Sequence, residues 1–191
     1  MGCAAAVWLI VVSAGFVSLA NYDRRPGAAS SAPPQINALP PDAPQKHRLL
    51  MFVHPRCPCS TASLRELERL MARCVDELDA TIYFMRPADA PDAWAQGSLW
   101  NHAAQIPGVQ TVIDAAGKQA ERFAAKTSGS VVLYDATGRL LYEGGITAGR
   151  GHEGDNRGKD ALISLARGEA AANKTCPVYG CSLSSNSLPG N

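Results

Sequence analysis

The sequence predicts an α/β protein with a mixed β-sheet flanked by helices, preceded by an N-terminal transmembrane helix. Three observations lead to this prediction. Short apolar runs typical of strands alternate with segments of helical periodicity through the middle of the chain. Two later strand-like runs are joined by a short turn, which indicates a hairpin. The first twenty residues carry no charge. A βαβ beginning with a hairpin finish implies a mixed sheet covered by helices.

Length, composition and charge limit the class of protein. The chain has 191 residues, 46% of them hydrophobic, which is enough for one domain of ordinary size with a real core. Its 18 basic and 17 acidic residues are scattered, so no basic stripe indicates binding to nucleic acid. Six cysteines are many for a reduced cytosolic protein of this size, although too few for a disulfide scaffold. The cysteine content therefore favours an oxidising compartment.

Residues 1–20 are predicted to be a transmembrane anchor or a signal segment. The run from Ala4 to Ala20 is apolar apart from two serines and a glycine. As a helix, about 20 residues span about 30 Å, the thickness of one bilayer core. A cleaved signal peptide is the alternative, but no Lys or Arg precedes the run and "SLANYD" is a poor cleavage site. We therefore favour a retained single-pass anchor.

Charge and cysteine usage predict opposite membrane orientations. Arg24 and Arg25 follow the apolar run and nothing basic precedes it. By the positive-inside rule, this arrangement leaves the rest of the chain in the cytoplasm. The cysteine content instead favours an oxidising space. We give the cysteine content more weight than the charge and expect the domain to be periplasmic or otherwise extracytoplasmic.

Composition divides the rest of the chain into three parts. Residues 21–46 hold six of the 13 prolines, which predicts a stiff, extended linker unable to build a core. The folded domain is expected over residues 47–169. Residues 170–191 are expected to form a tail that carries a cysteine pair and is loose beyond it.

The elements of the folded part are predicted from periodicity and residue type. Continuous apolar runs suit buried strands, β-branched and aromatic runs suit strands in general, and apolar residues at helical spacing suit amphipathic helices. Ser60 or Thr61 is expected to cap the first of these helices. In order, the predicted elements are a strand (48–54), a helix (Leu64 to Leu78), a strand (81–85), a helix starting at Asp92, a strand (111–114), a helix (118–126), a hairpin (130–145) and a helix capped by Asp155 or Asn156.

The stretch "HPRCPCS" (54–60) places two cysteines one residue apart where a strand gives way to a helix. The exposed N–H groups and partial positive charge of a helix N-terminus stabilise a thiolate, so the pKa of Cys57 is expected to be low. Arg56 acts in the same direction. Strand-to-helix loops are surface features, so Cys57 is not expected to be an ordinary buried thiol. Cys74, on the apolar face of the helix, is expected to be one.

An apolar strand, a Cys-containing turn, an amphipathic helix and a later hairpin together resemble the thioredoxin-like superfamily. The stretch "VIDAAGKQAERFAAKTSGSVVLYDATGRLLYEGGI" is similar to the second half of membrane-tethered thioredoxin-like proteins. The resemblance covers about residues 47–168. With "HPRCPCS", "GGITAGRGHEGDN" and "CPVYGC", the pattern looks most like a bacterial set labelled RedB-like.

The resemblance implies thiol–disulfide exchange on protein thiols or disulfides. Cys57 would be the nucleophile, and Cys59 would resolve the mixed disulfide although it lies one residue earlier than in Cys-x-x-Cys. A Cys-x-Cys disulfide closes a very small, strained ring and is easily reduced, which favours an oxidant or isomerase. Gly129 stands where the superfamily usually has a cis-proline beside the dithiol. This departure weakens the case for general disulfide exchange and opens space beside the cysteines.

Two other functions remain open. His54, Cys57, Cys59 and the more distant His152 offer nitrogen and soft sulfur ligands that suit copper or zinc. The chain would then be a soft-metal binding or delivery module. Each histidine also has a plain structural explanation, at the end of a strand or in a turn before a helix cap. A non-catalytic thioredoxin-like domain is the third possibility.

The tail carries a second cysteine pair, Cys176 and Cys181, in "CPVYGC". In an oxidising compartment, a local disulfide that closes a turn is the structural explanation, and we favour it. The functional explanation is a shuttle pair that passes electrons to Cys57 and Cys59 from a flexible tail.

Overall fold

The computed structural model describes residues 2–38, 40 and 45–183. Within these residues the chain forms a sheet of six strands with helices on both faces, preceded by one long helix. In chain order the elements are α1 (Gly2–Asp23), β1 (His47–Val53), α2 (Ser60–Cys74), β2 (Leu78–Arg86), a 3-10 helix (Asp92–Trp94), α3 (Ser98–Ala103), β3 (Val109–Ala115), α4 (Lys118–Arg122), β4 (Ser130–Tyr134), β5 (Leu140–Gly144), α5 (Arg157–Ala166) and β6 (Thr175–Cys176).

The sheet is mixed, as the βαβ beginning and hairpin finish predict. Its strand order is β3-β2-β1-β4-β5-β6. β1, β2 and β3 run parallel, whereas β4 pairs antiparallel with both β1 and β5. Met51 of β1 lies between Ile82 of β2 and Val131 of β4. This central position explains the continuous apolar run of β1, because both of its faces are covered.

Alternation along β1 separates two hydrophobic clusters. Leu49 and Met51 point to the face covered by α2, α3 and α5, where the larger cluster lies. Phe52 points to the opposite face and stacks with Tyr83 and Phe123, in the smaller cluster beside α4. The C-terminal end of β1, from which the chain turns into α2, is therefore packed on both faces of the sheet.

Several element boundaries differ from those predicted. α2 begins at Ser60 with Cys59 in the cap position, so neither Ser60 nor Thr61 caps it. The helix expected from Asp92 is a 3-10 turn followed by the separate helix α3, and the helix expected over 118–126 ends at Arg122. The last helix is capped by Asn156, whose Oδ1 accepts a hydrogen bond from Lys159 N (2.8 Å).

The Pro-rich segment is extended, as predicted, but part of it lies on the domain. Ile36 N donates to Gly138 O (2.8 Å) and Leu140 N donates to Pro34 O (3.0 Å), so the segment follows the β4–β5 hairpin. Ala32 is buried in the smaller cluster. The expectation that this segment takes no part in a core is corrected here, because short residues and free backbone groups suffice for edge packing. Residues 39 and 41–44 of the predicted linker lie outside the described residues.

The tail also belongs to the sheet. Thr175–Cys176 forms β6, parallel to β5, and the segment after it continues along the domain to Leu183, whose N donates to Lys126 O (2.9 Å). Composition alone did not predict this strand. The tail is expected to be loose beyond Cys181, but Ser182 and Leu183 pair with the loop before β4, which corrects that expectation for these two residues. Residues 184–191 lie outside the described residues.

The N-terminal helix α1 has no contact with the hydrophobic core. Its apolar side chains are exposed, including Trp8, Ile10 and Phe16. Residues 5–23 are long and apolar enough to cross a membrane, a property that signal sequences share. The chain therefore has an exposed apolar N-terminal helix whose last residues, Tyr22 and Asp23, contact Arg150 and His152 of the domain.

Candidate active site

Cys57 lies in the turn that connects β1 to α2. Its N–H donates to His54 O (3.0 Å), and its own carbonyl accepts from Ser60 N (3.0 Å). This turn places Cys57 directly before the first turn of α2, as the sequence predicts. Cys59 occupies the cap position with helical backbone angles (φ −65°, ψ −23°) and makes no side-chain cap hydrogen bond. Its thiol instead hydrogen-bonds to Cys57.

Cys57 is buried, with 1% of its surface exposed, although a surface position is expected for a residue in such a loop. The tail accounts for the difference. Cys181 Sγ lies 2.9 Å from Cys57 Sγ, so a segment that is distant in sequence covers the turn. Cys74 is fully buried on the apolar face of α2, as predicted.

The second cysteine pair is split in the structure. All six cysteines lie in the described part of the chain, and each is a free thiol. Cys181 contacts Cys57, whereas Cys176 lies in β6 beside the hydroxyl of Tyr142. The local disulfide that we favoured from the sequence is not formed here, because its two cysteines have different neighbours.

The electrostatics of the thiols favour a thiolate at Cys57. Burial acts to raise the pKa of Cys57, but hydrogen bonds from the thiol and backbone N–H of Cys181 and from Ser60 hold that pKa below its ordinary value. Burial, the hydrogen bond to Cys57 and the nearby thiolate charge raise the pKa of Cys181 to about 12. Burial and the charge of Cys57 also raise the pKa of Cys59. Cys57 is therefore the strongest nucleophile of the three at neutral pH.

A basic side chain that the sequence did not single out lies beside these thiols. Arg150 hydrogen-bonds to Cys59, and its charge opposes the rise in the pKa of Cys59 and of Cys181. Its guanidinium also donates to Gly180 O (2.6 Å). Arg150 lies in the stretch "GGITAGRGHEGDN", but nothing in that stretch predicts a contact with the cysteines, so only the long-range fold shows it.

Arg56 is not among the groups that lower the pKa of Cys57, although it is next to Cys57 in the sequence. Its guanidinium stacks on the Trp94 ring, 4.5 Å from the ring centroid. The contacts that lower the pKa of Cys57 come from Cys181, Ser60 and Cys59. Arg56 instead acts on His54, where burial and then the Arg56 charge lower the pKa of the imidazole. Arg150 acts on Cys59 and Cys181, and neither arginine is among the groups that lower the pKa of Cys57.

His54 and His152, the two candidate metal ligands, have other partners. His54 is buried, its Nδ1 accepts a hydrogen bond from Arg56 N (3.2 Å), and its ring packs edge-on against Trp94. His152 is exposed, and its Nε2 lies 3.9 Å from Asp23 Oδ2. Within the described residues, no group of three or more His, Cys, Asp or Glu side chains has the arrangement of a metal site. The plain structural explanation of each histidine agrees with its contacts.

The loop before β4 faces the cysteine turn. Ser128 Oγ accepts from His54 N (2.8 Å) and lies 2.7 Å from Ser60 Oγ. Gly129 N donates to Phe52 O (2.8 Å). At φ +91°, Gly129 adopts a conformation that favours glycine, and a Cβ there would lie 2.8 Å from Ser63 Oγ. Gly129 therefore allows the loop to approach α2 closely.

A cleft of about 630 Å³ lies along this loop and the tail. Its walls come from the loop before β4, α4, the start of the Pro-rich segment and the tail. Residues that line it include Glu121, Lys126, Arg150 and Ser182. The cleft continues the surface on which the tail lies, with charged groups of both signs at its edge.

Comparison with known proteins rests on structure. No family model and no curated protein matches the chain. A hypothetical protein from Sinorhizobium meliloti 1021 superimposes with a TM-score of 0.61 at 16% identity, covering 87% of this chain and 99% of that one. An uncharacterised conserved protein from Geobacillus kaustophilus gives 0.59 at 18% identity, covering 87% and 95%.

A solved structure of a thioredoxin-like protein in its oxidised form is also similar. It superimposes with a TM-score of 0.50 at 11% identity, covering 73% of this chain and 97% of that one. At such identities a likeness shows the fold alone. With the mixed sheet and the cysteine turn between β1 and α2, the likeness shows that this chain has a thioredoxin-like fold.

Proposed function

We propose that this protein is a membrane-tethered, extracytoplasmic thiol–disulfide oxidoreductase whose nucleophile is Cys57. The observation that carries the proposal is the environment of Cys57 Sγ. It lies at the start of α2, accepts hydrogen bonds that favour its thiolate, and is 2.9 Å from a second thiol. The thioredoxin-like fold, with a cysteine turn between β1 and α2, supports the same proposal.

The proposed exchange has two steps. The Cys57 thiolate attacks one sulfur of a partner protein's disulfide, forming a Cys57–partner disulfide and releasing the partner's other sulfur as a thiolate. Cys59 loses its proton to solvent or to that thiolate and attacks Cys57 Sγ. A Cys57–Cys59 disulfide forms, and the partner leaves as a dithiol. In the reverse direction, a partner dithiol is oxidised to a disulfide.

Arg150 supports the second step. Cys59 must ionise to attack, and burial together with the Cys57 charge disfavours its ionisation. Once Cys57 is in a mixed disulfide it carries no charge, and the hydrogen bond from Arg150 to Cys59 remains. The contact therefore favours the Cys59 thiolate at the stage where it is needed.

The tether and the location are part of the proposal. Residues 5–23 have the length and composition of a membrane span, and their large apolar side chains are exposed. An oxidising compartment suits a chain with six cysteines. The proposed partners are proteins with thiols or disulfides at the outer face of the same membrane.

The test is exchange with a peptide that contains one disulfide, using full-length protein in detergent. We expect Cys57→Ser to abolish exchange and Cys176→Ser, as a matched control in the tail, to leave it unchanged. In the Cys59→Ser/Cys181→Ser double variant, a mixed disulfide with Cys57 should accumulate because no neighbouring thiol can resolve it. Exchange at the wild-type rate in Cys57→Ser would exclude the proposal.

The alternative function, binding or delivery of a soft metal ion, stays a prediction and is tested by measuring bound metal. Thiolates such as Cys57 and Cys59 suit Cu(I) or Zn²⁺. If the chain is a metal module, full-length protein would retain stoichiometric copper or zinc through gel filtration and lose it in Cys57→Ser. Thiols that stay unreactive until a chelator is added would support that function over disulfide exchange.

A further inference from the structure

The tail lies on the loop before β4 as an added strand. Ser128 N donates to Cys181 O (2.8 Å), and Leu183 N donates to Lys126 O (2.9 Å). Thr127 and Ser182 form an antiparallel bridge between these two bonds. Such backbone pairing is the means by which an extended peptide docks on an exposed edge, and it does not depend on the side chains of the peptide.

A glycine allows the tail to lie this close. A Cβ on Gly180 would lie 2.0 Å from Ser128 O, and Gly180 O accepts from Arg150. Further along, Val178 O accepts from Gly27 N (2.8 Å). The segment from Val178 to Leu183 is thus held from both sides over its whole length, which a loose terminus would not be.

This docking places the tail thiol on the nucleophile. Cys181 Sγ is 2.9 Å from Cys57 Sγ, although 124 positions separate the two residues. Cys176, the other tail cysteine, lies at β6 away from this contact, beside Tyr142. The tail therefore presents one cysteine, in an extended backbone, to Cys57.

We propose that Val178–Leu183 is an internal substrate: its Cys181 forms a disulfide with Cys57, and the tail occupies the groove that receives an extended, cysteine-containing segment of a partner protein. The inference rests on the proposed function and adds to it the class of partner and a third redox thiol. A partner segment must pair with Lys126–Ser128 as the tail does, and so must displace the tail.

The Cys57–Cys181 bond forms by exchange within the chain. The Cys181 thiolate attacks Cys57 Sγ in the Cys57–Cys59 disulfide; one S–S bond forms, another breaks, and Cys59 leaves as a thiolate that takes up the proton lost by Cys181. No external oxidant is required for this step. Relief of the small Cys-x-Cys ring favours its forward direction.

The partner then opens the site. A partner thiolate attacks Cys57 Sγ and releases Cys181 as a thiol, so the tail leaves the groove as the partner segment enters. A second partner thiolate attacks the partner's own sulfur in the mixed disulfide and frees Cys57. The partner dithiol is oxidised to a disulfide, and the Cys57–Cys181 pair is reduced by the same two electrons.

Disulfide mapping of the full-length protein tests this inference. The protein is equilibrated with oxidised glutathione, quenched in acid, alkylated and digested without reductant. Cleavage after Arg56, Arg65 and Lys174 gives one peptide with Cys57 and Cys59 and one with Cys176 and Cys181. Further cleavage after Tyr179 separates the two tail cysteines.

We expect the tail peptide that contains Cys181 to be linked to the Cys57 peptide in the wild type and in Cys176→Ser. The link should be lost in Cys181→Ser, which should show the Cys57–Cys59 bond instead. A wild-type protein with only the Cys57–Cys59 bond would overturn the internal-substrate inference and leave the proposed function standing. A Cys57 thiol that stays free in oxidised glutathione would overturn both.

A steric variant tests the groove separately from the thiol. Gly180→Val should lift the tail, because its Cβ cannot fit against Ser128 O. At a pH above the midpoint of its rate profile, where Cys57 is ionised with or without the tail, we expect Cys57 in the reduced protein to be alkylated about tenfold faster, since protection by a docked segment scales with its docking equilibrium. Gly97→Ala is the control, since a Cβ at Gly97 meets nothing within 4 Å. Equal rates in Gly180→Val and wild type would mean that the tail does not cover the site.

Discussion

Cys57 shows how contacts from distant parts of the chain change the chemistry of one residue. Its place before α2 could be predicted, and so could a low pKa. The main cause differs from the predicted one, because Cys181 and Ser60 donate hydrogen bonds to its sulfur while Arg56 stacks on Trp94. Burial alone would have raised the pKa. The reactivity of Cys57 is therefore tied to the position of the tail.

This dependence predicts the pH profile of Cys57 alkylation in the reduced protein. Only the thiolate reacts, so a lowered pKa moves the midpoint of the rate profile below the ordinary cysteine value of about 8.5. In Cys181→Ala the thiol donor is gone, and we expect the midpoint for Cys57 to move upward. The rate is read by mass spectrometry of the peptide that contains Cys57.

Cys176→Ala is the control for that measurement. It removes a thiol from the same tail without touching Cys57, and its profile should match the wild type. A midpoint that stays in place in Cys181→Ala would show that the tail thiol does not stabilise the Cys57 thiolate.

Among the secondary-structure elements, those with regular periodicity could be predicted and those held by backbone pairing could not. The apolar spacing of α2 and the apolar runs of β4 and β5 report burial directly, so these elements were confirmed, although α2 ends at Cys74 and its predicted last residue, Leu78, begins β2. β6 is two residues long and pairs through backbone groups that every residue carries. The sequence therefore offered a meeting of the two cysteine stretches only as the less favoured explanation, a shuttle pair, and the contact of Cys181 with Cys57 is seen only in the fold.

A buried ion pair joins two of the helices. Glu66 of α2 has no exposed side-chain surface, and it accepts hydrogen bonds from Lys159 Nζ of α5 (2.5 Å) and from Gly154 N (2.7 Å). Asn156, which caps α5, also donates to it (3.4 Å). The loop that contains Arg150 and the start of α5 are thereby held against the helix that begins at the cysteine turn.

Glu66→Gln should destabilise the domain by about 3 kcal/mol, because it leaves the Lys159 charge buried without its counter-charge. Urea unfolding measures the change. The control is Glu68→Gln, on the exposed part of the same helix and paired with His102, which should cost less than about 1 kcal/mol. Equal effects of the two substitutions would contradict a special role for the buried pair.

The same pair gives the stability of the wild type a pH dependence. Burial acts to raise the pKa of Glu66, but the Gly154 N–H and Lys159 hold that pKa below its ordinary value. The stabilisation is therefore fully present above the unfolded-state pKa of about 4.3 and is lost as pH falls through the lower folded-state pKa. Glu66→Gln should remove this part of the acid dependence.

At the scale of the whole molecule, two segments outside the predicted domain, the Pro-rich segment and the tail, pack on that domain. The Pro-rich segment follows the β4–β5 hairpin, and the tail adds β6 and covers Cys57. Both segments are poor in large apolar residues, so periodicity could not assign them to the fold. Backbone hydrogen bonds hold both segments on the domain: the Pro-rich segment along the β4–β5 hairpin, and the tail over Cys57.

The orientation of this molecule across the membrane decides whether the proposed chemistry has an oxidising environment. Arg24 and Arg25 predict a cytoplasmic domain, and the cysteine content predicts the opposite. Cys3 lies at the far end of α1 from the domain and is exposed, so it reports one side of the membrane. Ala88→Cys, at an exposed position after β2, places a reporter on the other side.

We expect a membrane-impermeant maleimide, applied to intact spheroplasts of a bacterial host, to label Ala88→Cys and leave Cys3 unlabelled. Detergent lysis should make both reactive, which controls for burial. Peptide mass also shows whether the peptide that contains Cys3 is retained, as an anchor requires, or removed, as cleavage of a signal peptide requires. Labelling of Cys3 with protection of Ala88→Cys would place the cysteine site in the cytoplasm. Because thiols there are kept reduced, that outcome would exclude the extracytoplasmic part of the proposal and leave the charge of Arg24 and Arg25 as the determinant of orientation.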